Sequence, residues 1–404
     1  MSVRFRLHVI YNMYYKEQGQ PCHSRCQRTI QENTLVMELK WILYLLCSLA
    51  VSFGLTAVLM RPLLRLCKRR GIYDLPDERK VHHRGIPRLG GVLFMPAMLV
   101  GASATIMVQM LVDYRGFPTL TMNVCVMFVG MFLIYLIGLL DDLFGLKASL
   151  KFLIQFFVSL FLPFCGLYMH NLYGLFGLYE LPAWLCYPLT VFVSLLIVNA
   201  INLIDGIDGL ASGLSVMAIA AFGFLFFSHE MYYYALYCAS LVGTVSAFFL
   251  YNMFGRVSKC TKTFMGDTGS LTLGYALTFL SIRYMMTCTA TSPHQMHATA
   301  LLVPYTLILV PCFDLVRVSL MRLWRHKPIF SPDKTHIHHK LLAAGFSMHA
   351  SLLVILGLQA AFCGLNWLLV VTDFSASLVL MVDIAVFVAF HLLLDGLIAR
   401  RGAA

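Results

Sequence analysis

Five short stretches of the chain concentrate the side chains able to do chemistry. Asp141 and Asp142 stand together in Gly138-Leu-Leu-Asp-Asp-Leu-Phe-Gly145. Adjacent carboxylates repel unless a cation or proton relieves them, and such oxygen pairs suit Mg2+, although an acidic cap for the next helix uses the same dipeptide. Lys147 and Lys151 follow at i,i+4 spacing, as a pair of cations for anionic phosphates or as an ordinary helical charge cluster. Asn199 and Asn202 share a helix face, and the Asp205-Gly and Asp208-Gly steps after them break the helix so that backbone and carboxylates can line a cavity. Tyr251-Asn252 precedes Phe264-Met-Gly-Asp267-Thr-Gly-Ser270, which brings a hard-metal carboxylate, backbone N–H groups and a hydroxyl to the opening of a helix. It lacks the Gly-Lys-Ser/Thr end of a P-loop. His336-Ile-His338-His339-Lys340 could bind a transition metal, but His336 and His338 point apart if the segment is extended. Hydrogen bonding to a pyrophosphate or sugar is therefore the better reading. The connection before these motifs holds Lys80 and Arg88 and ends in Gly90-Gly91, a basic, turn-rich stretch where backbone can approach a ligand.

The elements that must position these residues are membrane helices. Of 404 residues 59% are hydrophobic and only 12% charged, against roughly a quarter in soluble domains. Apolar runs of about twenty residues, enough for a helix to cross a bilayer, recur along the chain. The expected fold is an all-α polytopic bundle of about eleven transmembrane helices, over 41–60, 89–112, 120–140, 150–168, 184–203, 209–228, 232–253, 264–286, 299–320, 350–371 and 377–398. Of the 24 Lys and Arg after residue 40, 22 then fall on one face, which the positive-inside rule makes cytoplasmic. All five motifs lie on that face. The net charge of +11 thus belongs to the leaflet rather than to nucleic acid. Residues 41–398 read as one domain, 399–404 as a basic cytoplasmic tail and 1–40 as a polar extension. Six basic residues in that extension would lie outside, against the rule, so Met37 is the expected natural start. The cysteines are scattered through apolar segments and imply no disulfide framework. A transporter is the rival class, but transporters place their site near the midplane, whereas these polar groups gather at one surface.

The motifs LPDERKVHHRGIPRLGG, GLLDDLFGL, NAINLIDGIDGLASG, FMGDTGS and PDKTHIHHKLL, in this order and on one face, resemble those of the polyprenyl-phosphate N-acetylhexosamine-1-phosphate transferase family. The resemblance spans about residues 50–400. It implies Mg2+-dependent transfer of a sugar 1-phosphate from a UDP-N-acetylhexosamine to undecaprenyl phosphate in the inner membrane, with release of UMP. Mn2+ would be the substitute metal, and a homodimer is allowed. By motif position, Asn202 and Asp267 resemble the magnesium-associated residues. Asp208, Asn252 and Phe264 resemble the nucleoside pocket, with Phe264 stacked on uracil. Asp141, Asp142, Lys151, His336, His338 and His339 resemble the catalytic and phosphate-binding set, with Asp267 also catalytic; Lys80, Arg88 and Asp205 complete the substrate-binding expectation. The His-Ile-His-His form is similar to the branch that uses UDP-N-acetylglucosamine for O-antigen, teichoic-acid or common-antigen synthesis. The peptidoglycan branch, the alternative, has three consecutive histidines and a shorter stretch between Asn252 and Phe264.

Overall fold

The computed structural model describes residues 23–73, 85–113, 121–291, 298–328, 335–372 and 374–402. These form thirteen α-helices: α1 His23–Arg70, α2 Phe94–Asp113, α3 Met122–Phe144, α4 Ala148–Phe164, α5 Ala183–Ile204, α6 Leu210–Ser228, α7 Tyr232–Phe254, α8 Gly266–Thr291, α9 Thr299–Leu307, α10 Leu309–Trp324, α11 Ile337–Ala343, α12 Met348–Val371 and α13 Ala376–Gly402. Eight are long and apolar enough to cross a membrane, and α9 with α10 makes a ninth span bent by 75°. Of the other two expected crossings, 150–168 falls on the 17-residue α4 and 264–286 on the central α8, and neither is among the helices long and apolar enough to cross, so eight or nine of the eleven expected spans are seen among the described residues.

Helix α8 explains why a crossing can carry so many hydroxyls. It is enclosed by α3, α5, α6 and α9, and every residue from Leu271 to Leu280 is buried. With no lipid to face, it need not be greasy. Ser270, Thr272, Thr278 and Ser281 each donate to the carbonyl four residues back, which satisfies them within the helix. Close approach of neighbouring backbones does the packing instead. A Cβ at Gly138 of α3 would come within 2.5 Å of Thr268 Cα and 2.7 Å of Asp267 O.

The bend at Ile308 has a covalent cause. Pro311 has no N–H for the Leu307 carbonyl, so the helical ladder fails there. Gln359 of α12 repairs the break: its Nε2 donates to Thr306 O (2.7 Å) and its Oε1 accepts from Val310 N (3.1 Å).

Several boundaries differ from the sequence reading. Helix α1 runs unbroken through residues 40 and 41, and α13 runs through 399–402, so neither proposed boundary marks a change of structure. After α4 the chain forms an antiparallel hairpin, β1 Asn171–Leu175 with β2 Leu178–Glu180, which an all-helical expectation did not include.

Candidate active site

The C-terminal ends of α3, α5 and α7, the N-terminal ends of α4, α6 and α8, and the short α11 meet at one end of the bundle. The first polar contact there organises the central helix. Asp142, 3% exposed, accepts from Asp267 N through Oδ1 (2.9 Å) and from Thr268 N (2.9 Å) and Thr268 Oγ1 (2.6 Å) through Oδ2. A helix begins with unsatisfied N–H groups, and here a carboxylate from another helix caps them. Asp142 therefore holds Asp267 in place, with its own oxygens already engaged.

Asp141 faces elsewhere. Its Oδ1 accepts from Leu146 N (2.7 Å), and its Oδ2 lies 3.0 Å from Lys151 Nζ. The same ammonium is 2.6 Å from Asp267 Oδ2, so one cation bridges two carboxylates from different helices. Asn202 Nδ2 donates to Asp267 Oδ1 (3.0 Å) and to Ser270 Oγ (2.8 Å). Ser270 Oγ already donates to Gly266 O, so it accepts from Asn202, and this fixes which end of the amide is nitrogen. Asn202 Oδ1 then has no partner among the described residues. Lys147, expected beside Lys151, is the exposed residue that precedes α4 and joins neither carboxylate.

The turn between α5 and α6 supplies the remaining acids. The Asp205 carboxyl makes no hydrogen bond among the described residues; burial, then the charges of Asp267, Asp208 and Asp142, push it up to about 7. Asp208 pairs with Lys262 (2.6 Å), and Lys262 also donates to Asn252 O. Asn252 is 5% exposed and fully engaged: Oδ1 accepts from Gly209 N (2.6 Å) and Nδ2 donates to Thr263 O (2.8 Å). It brackets the α5–α6 turn against the loop before α8. The segment 85–91 is strapped to that loop by Phe264 N to Pro87 O (2.8 Å), Gly90 N to Phe264 O (3.0 Å) and Gly91 N to Met265 O (2.9 Å), which sets Arg88 and the half-buried Phe264 beside each other.

The histidines arrive on α11, and here the extended-segment expectation is corrected. The chain turns helical at Ile337, so the His336 and His338 rings lie nearly parallel (8°) with centroids 5.9 Å apart, and His339 is 4.2 Å beyond His338. His336 Nδ1 is 2.8 Å from Asp314 Oδ2, and the other Asp314 oxygen takes Arg317 (2.7 Å) and Ile337 N (3.1 Å). His338 packs on Gly206, where any Cβ would overlap its Nε2. Burial, then the neighbouring His339 charge, lowers His338 to about 3, so its ring is neutral. Lys80 lies outside the described residues.

These groups crown a half-open cavity of about 730 Å3 between α4, α5 and α10. Lys151, Asn202, Arg322 and the three histidines line its polar part, while Phe152, Phe192, Leu195, Leu196, Leu315 and Leu320 line an apolar part. The oxygens around Asp267 are hard, the Asp141 and Asp267 carboxylates, and the Asn202 amide oxygen joins them when that amide, whose nitrogen now faces Asp267, rotates; such a set suits Mg2+ rather than a thiophilic metal. No three His, Cys, Asp or Glu among the described residues form a complete metal cage. Mg2+ does not require one, since it keeps waters and takes substrate phosphate oxygens.

The glycosyl transferase family 4 model matches residues 124–285, from α3 into α8. A Bacillus subtilis (strain 168) protein named "Probable undecaprenyl-phosphate N-acetylglucosaminyl 1-phosphate transferase" is 34% identical over 74% of this chain and 78% of its own length. The chain belongs to this family. Proteins of Yersinia pestis and Escherichia coli (strain K12) named undecaprenyl-phosphate alpha-N-acetylglucosaminyl 1-phosphate transferase are each 29% identical, over 80% and 72% of the chain and 81% and 74% of their own lengths. Within this family 4 site, Lys262, Asp314 and Arg322 were not among the expected site residues. Lys262 looks in sequence like any loop cation beside Lys259, and only its 8% exposure marks it out. Asp314 and Arg322 sit in an apolar span, where a charge is itself a signal.

Proposed function

We propose that this chain transfers N-acetylglucosamine 1-phosphate from UDP-N-acetylglucosamine to undecaprenyl phosphate at the cytoplasmic face of the inner membrane, releasing UMP. The observation that carries the reading is the cavity itself, whose polar head holds Arg322, the three histidines and the Lys151 ammonium tied to Asp141 and Asp267, and whose remaining wall is apolar. A soluble nucleotide sugar and a greasy phosphate can meet only in such a place. The names of the relatives support the acceptor and the sugar, and the His-Ile-His-His form supports the same sugar over the peptidoglycan-branch donor. The 22-to-2 charge asymmetry supports the cytoplasmic orientation.

An oxygen of the lipid phosphate attacks the phosphorus that carries the sugar. A new P–O bond forms, the bond from that phosphorus to the oxygen bridging it to the uridine phosphate breaks, and the bridging oxygen leaves with the electron pair as part of UMP. A phosphate monoester with a second pKa near 6 is mostly dianionic at neutral pH, so the nucleophile needs little help from a base. The difficulty is the gathering of negative charge. Mg2+, held by Asp267 and Asn202 with Asp141 beside them, would screen it. Lys151, Arg322 and the histidines add donors around the phosphates, while Asp142 holds the Asp267 backbone N–H and Asn202 steadies the Asp267 carboxylate. Asp208, tied down by Lys262, and the half-buried Phe264 belong to the nucleoside end.

The test is UMP release from purified protein given UDP-N-acetylglucosamine, UDP-N-acetylgalactosamine or UDP-N-acetylmuramoyl-pentapeptide, with and without undecaprenyl phosphate. Release should require the lipid, favour the first donor and stop on chelation of divalent metal. Turnover without lipid, or preference for the pentapeptide donor, would overturn the assignment.

A further inference from the structure

One helical turn deeper than Lys151 and Asn202, on the same two helices, lies a polar pair that the transfer described above leaves unused. Gln155 follows Lys151 by four residues in α4, and Asn199 precedes Asn202 by three in α5. At ~1.5 Å per residue both sit about 4.5–6 Å farther from the acid cluster along their helices. Asn199 Nδ2 donates to Leu195 O (2.8 Å) and to Gln155 Oε1 (2.8 Å). A backbone carbonyl only accepts, so the first bond fixes the Asn199 amide and the second fixes that of Gln155, with its oxygen toward Asn199 and its Nε2 turned away. Neither Gln155 Nε2 nor Asn199 Oδ1 has a further hydrogen bond among the described residues, and neither is sealed from the cavity that both residues line.

An amide N–H in an apolar wall at membrane depth is costly to leave without an acceptor. The neighbouring wall, Phe152, Phe192, Leu195 and Leu196, offers none from its side chains, and an isoprenoid chain offers none either. The phosphate end of a lipid does. We propose that Gln155 is a depth stop for the acceptor: its Nε2 donates to an oxygen on the lipid side of the acceptor phosphate, while Asn199 holds the Gln155 amide in that orientation. The phosphate is thereby kept level with Asp267 and Lys151, and the first isoprene units lie against the two phenylalanines. This inference rests on the proposed transferase reading and adds to it the residue that reads the acceptor.

The experiment measures initial rates of UMP release from full-length protein in detergent, varying undecaprenyl phosphate at saturating UDP-N-acetylglucosamine and then the reverse. Gln155→Leu should raise KM for the lipid about tenfold or more, the loss of a hydrogen bond to a charged group, and leave KM for the nucleotide sugar within about twofold. Gln155→Asn, which keeps the amide but withdraws it, should show the same acceptor-selective rise and serves if the leucine variant does not fold. Ser159→Ala removes a hydroxyl pair from the same α4–α5 interface away from the cavity (Ser159 Oγ to Ser194 Oγ, 2.8 Å) and should change neither constant. An unchanged lipid KM in folded Gln155 variants, an equal rise in both constants, or the same shift in Ser159→Ala would overturn the depth stop. A parent protein that releases no UMP would instead overturn the transferase reading itself.

Discussion

Successive residues of an α-helix point about 100° apart, so the adjacent carboxylates at the end of α3 meet different surroundings. Asp142 turns inward to the N–H groups of α8, and Asp141 turns toward Lys151 and the cavity mouth. Substitution should separate the two. Asp267→Asn should cut turnover at least about a hundredfold, as expected of a charge aimed at the reacting phosphates, with little change in melting temperature. Asp142→Asn should lower activity and melting temperature together, because an amide places N–H against N–H at the start of α8. Parallel rate and thermal-unfolding measurements on both variants check this. The spacing of the acids was legible in sequence, but their division of labour was not, since two aspartates in a row carry no record of which one is buried. His338 gives a pH prediction. Its folded pKa, about 3, lies below the ordinary value of about 6.5. Below pH ~6.5 the unfolded chain therefore binds a proton that the folded chain refuses. Stability should fall as pH drops from 6.5 toward 5, with a slope from this group that grows from about 0.7 toward about 1.4 kcal/mol per pH unit. In His338→Gln, unfolding midpoints measured across that range should fall less steeply than in the parent.

At the scale of elements, the site depends on two joints. The first is the contact of the α5–α6 turn with α11, where Gly206 gives His338 its place. Gly206→Ala should push α11 away and reduce turnover severalfold or more, while Gly396→Ala, at a position with open space around it, should not. The second joint is the break between α9 and α10. Gln359→Leu would leave Val310 N without its acceptor and take one donor from Thr306 O inside the bundle, at about 1–3 kcal/mol for the unsatisfied N–H. Chemical denaturation in detergent should show that loss, and α10, which carries Asp314, Arg317 and one wall of the cavity, should become more susceptible to proteolysis. Hydropathy located the 299–320 crossing yet missed its bend, because a proline near the start of a helix is ordinary and only the partner residue on α12 shows that the ladder is interrupted. The hairpin at 171–180 escaped for a similar reason: Asn171–Leu175 is apolar enough to continue the preceding span, and its pairing depends on glycines at positive φ, Gly174 (+85°) and Gly177 (+75°).

On the scale of the molecule, the sequence was most informative where physics is least local. Lipid demands long apolar helices, and an anionic leaflet sorts the cations between loops, so the eight or nine long apolar spans and the clustering of the motifs at one end were both legible. Less legible was the interior arrangement, in which the most polar crossing, α8, is the one surrounded by the others. The same asymmetry makes a prediction about orientation. Arg61, Arg65, Lys68, Arg69 and Arg70 close α1 at the end of the bundle that holds Asp267, and Arg400 and Arg401 close α13 there, where Arg401 approaches Gly345 and Lys340 pairs with Asp395 (2.6 Å). At the opposite end Lys40 is paired with Asp113 (2.7 Å). A basic end is retained on the cytoplasmic side of a bilayer, so the carboxyl terminus and the acid cluster should share that side. Green fluorescent protein fused after residue 404 should therefore fluoresce, and alkaline phosphatase fused there should be inactive. Joined instead within the 292–297 connection, at the other end of α8, the two reporters should reverse. Active phosphatase at the carboxyl terminus would place the acid cluster on the far side of the membrane from cytosolic nucleotide sugars, and the proposed reaction would have no donor.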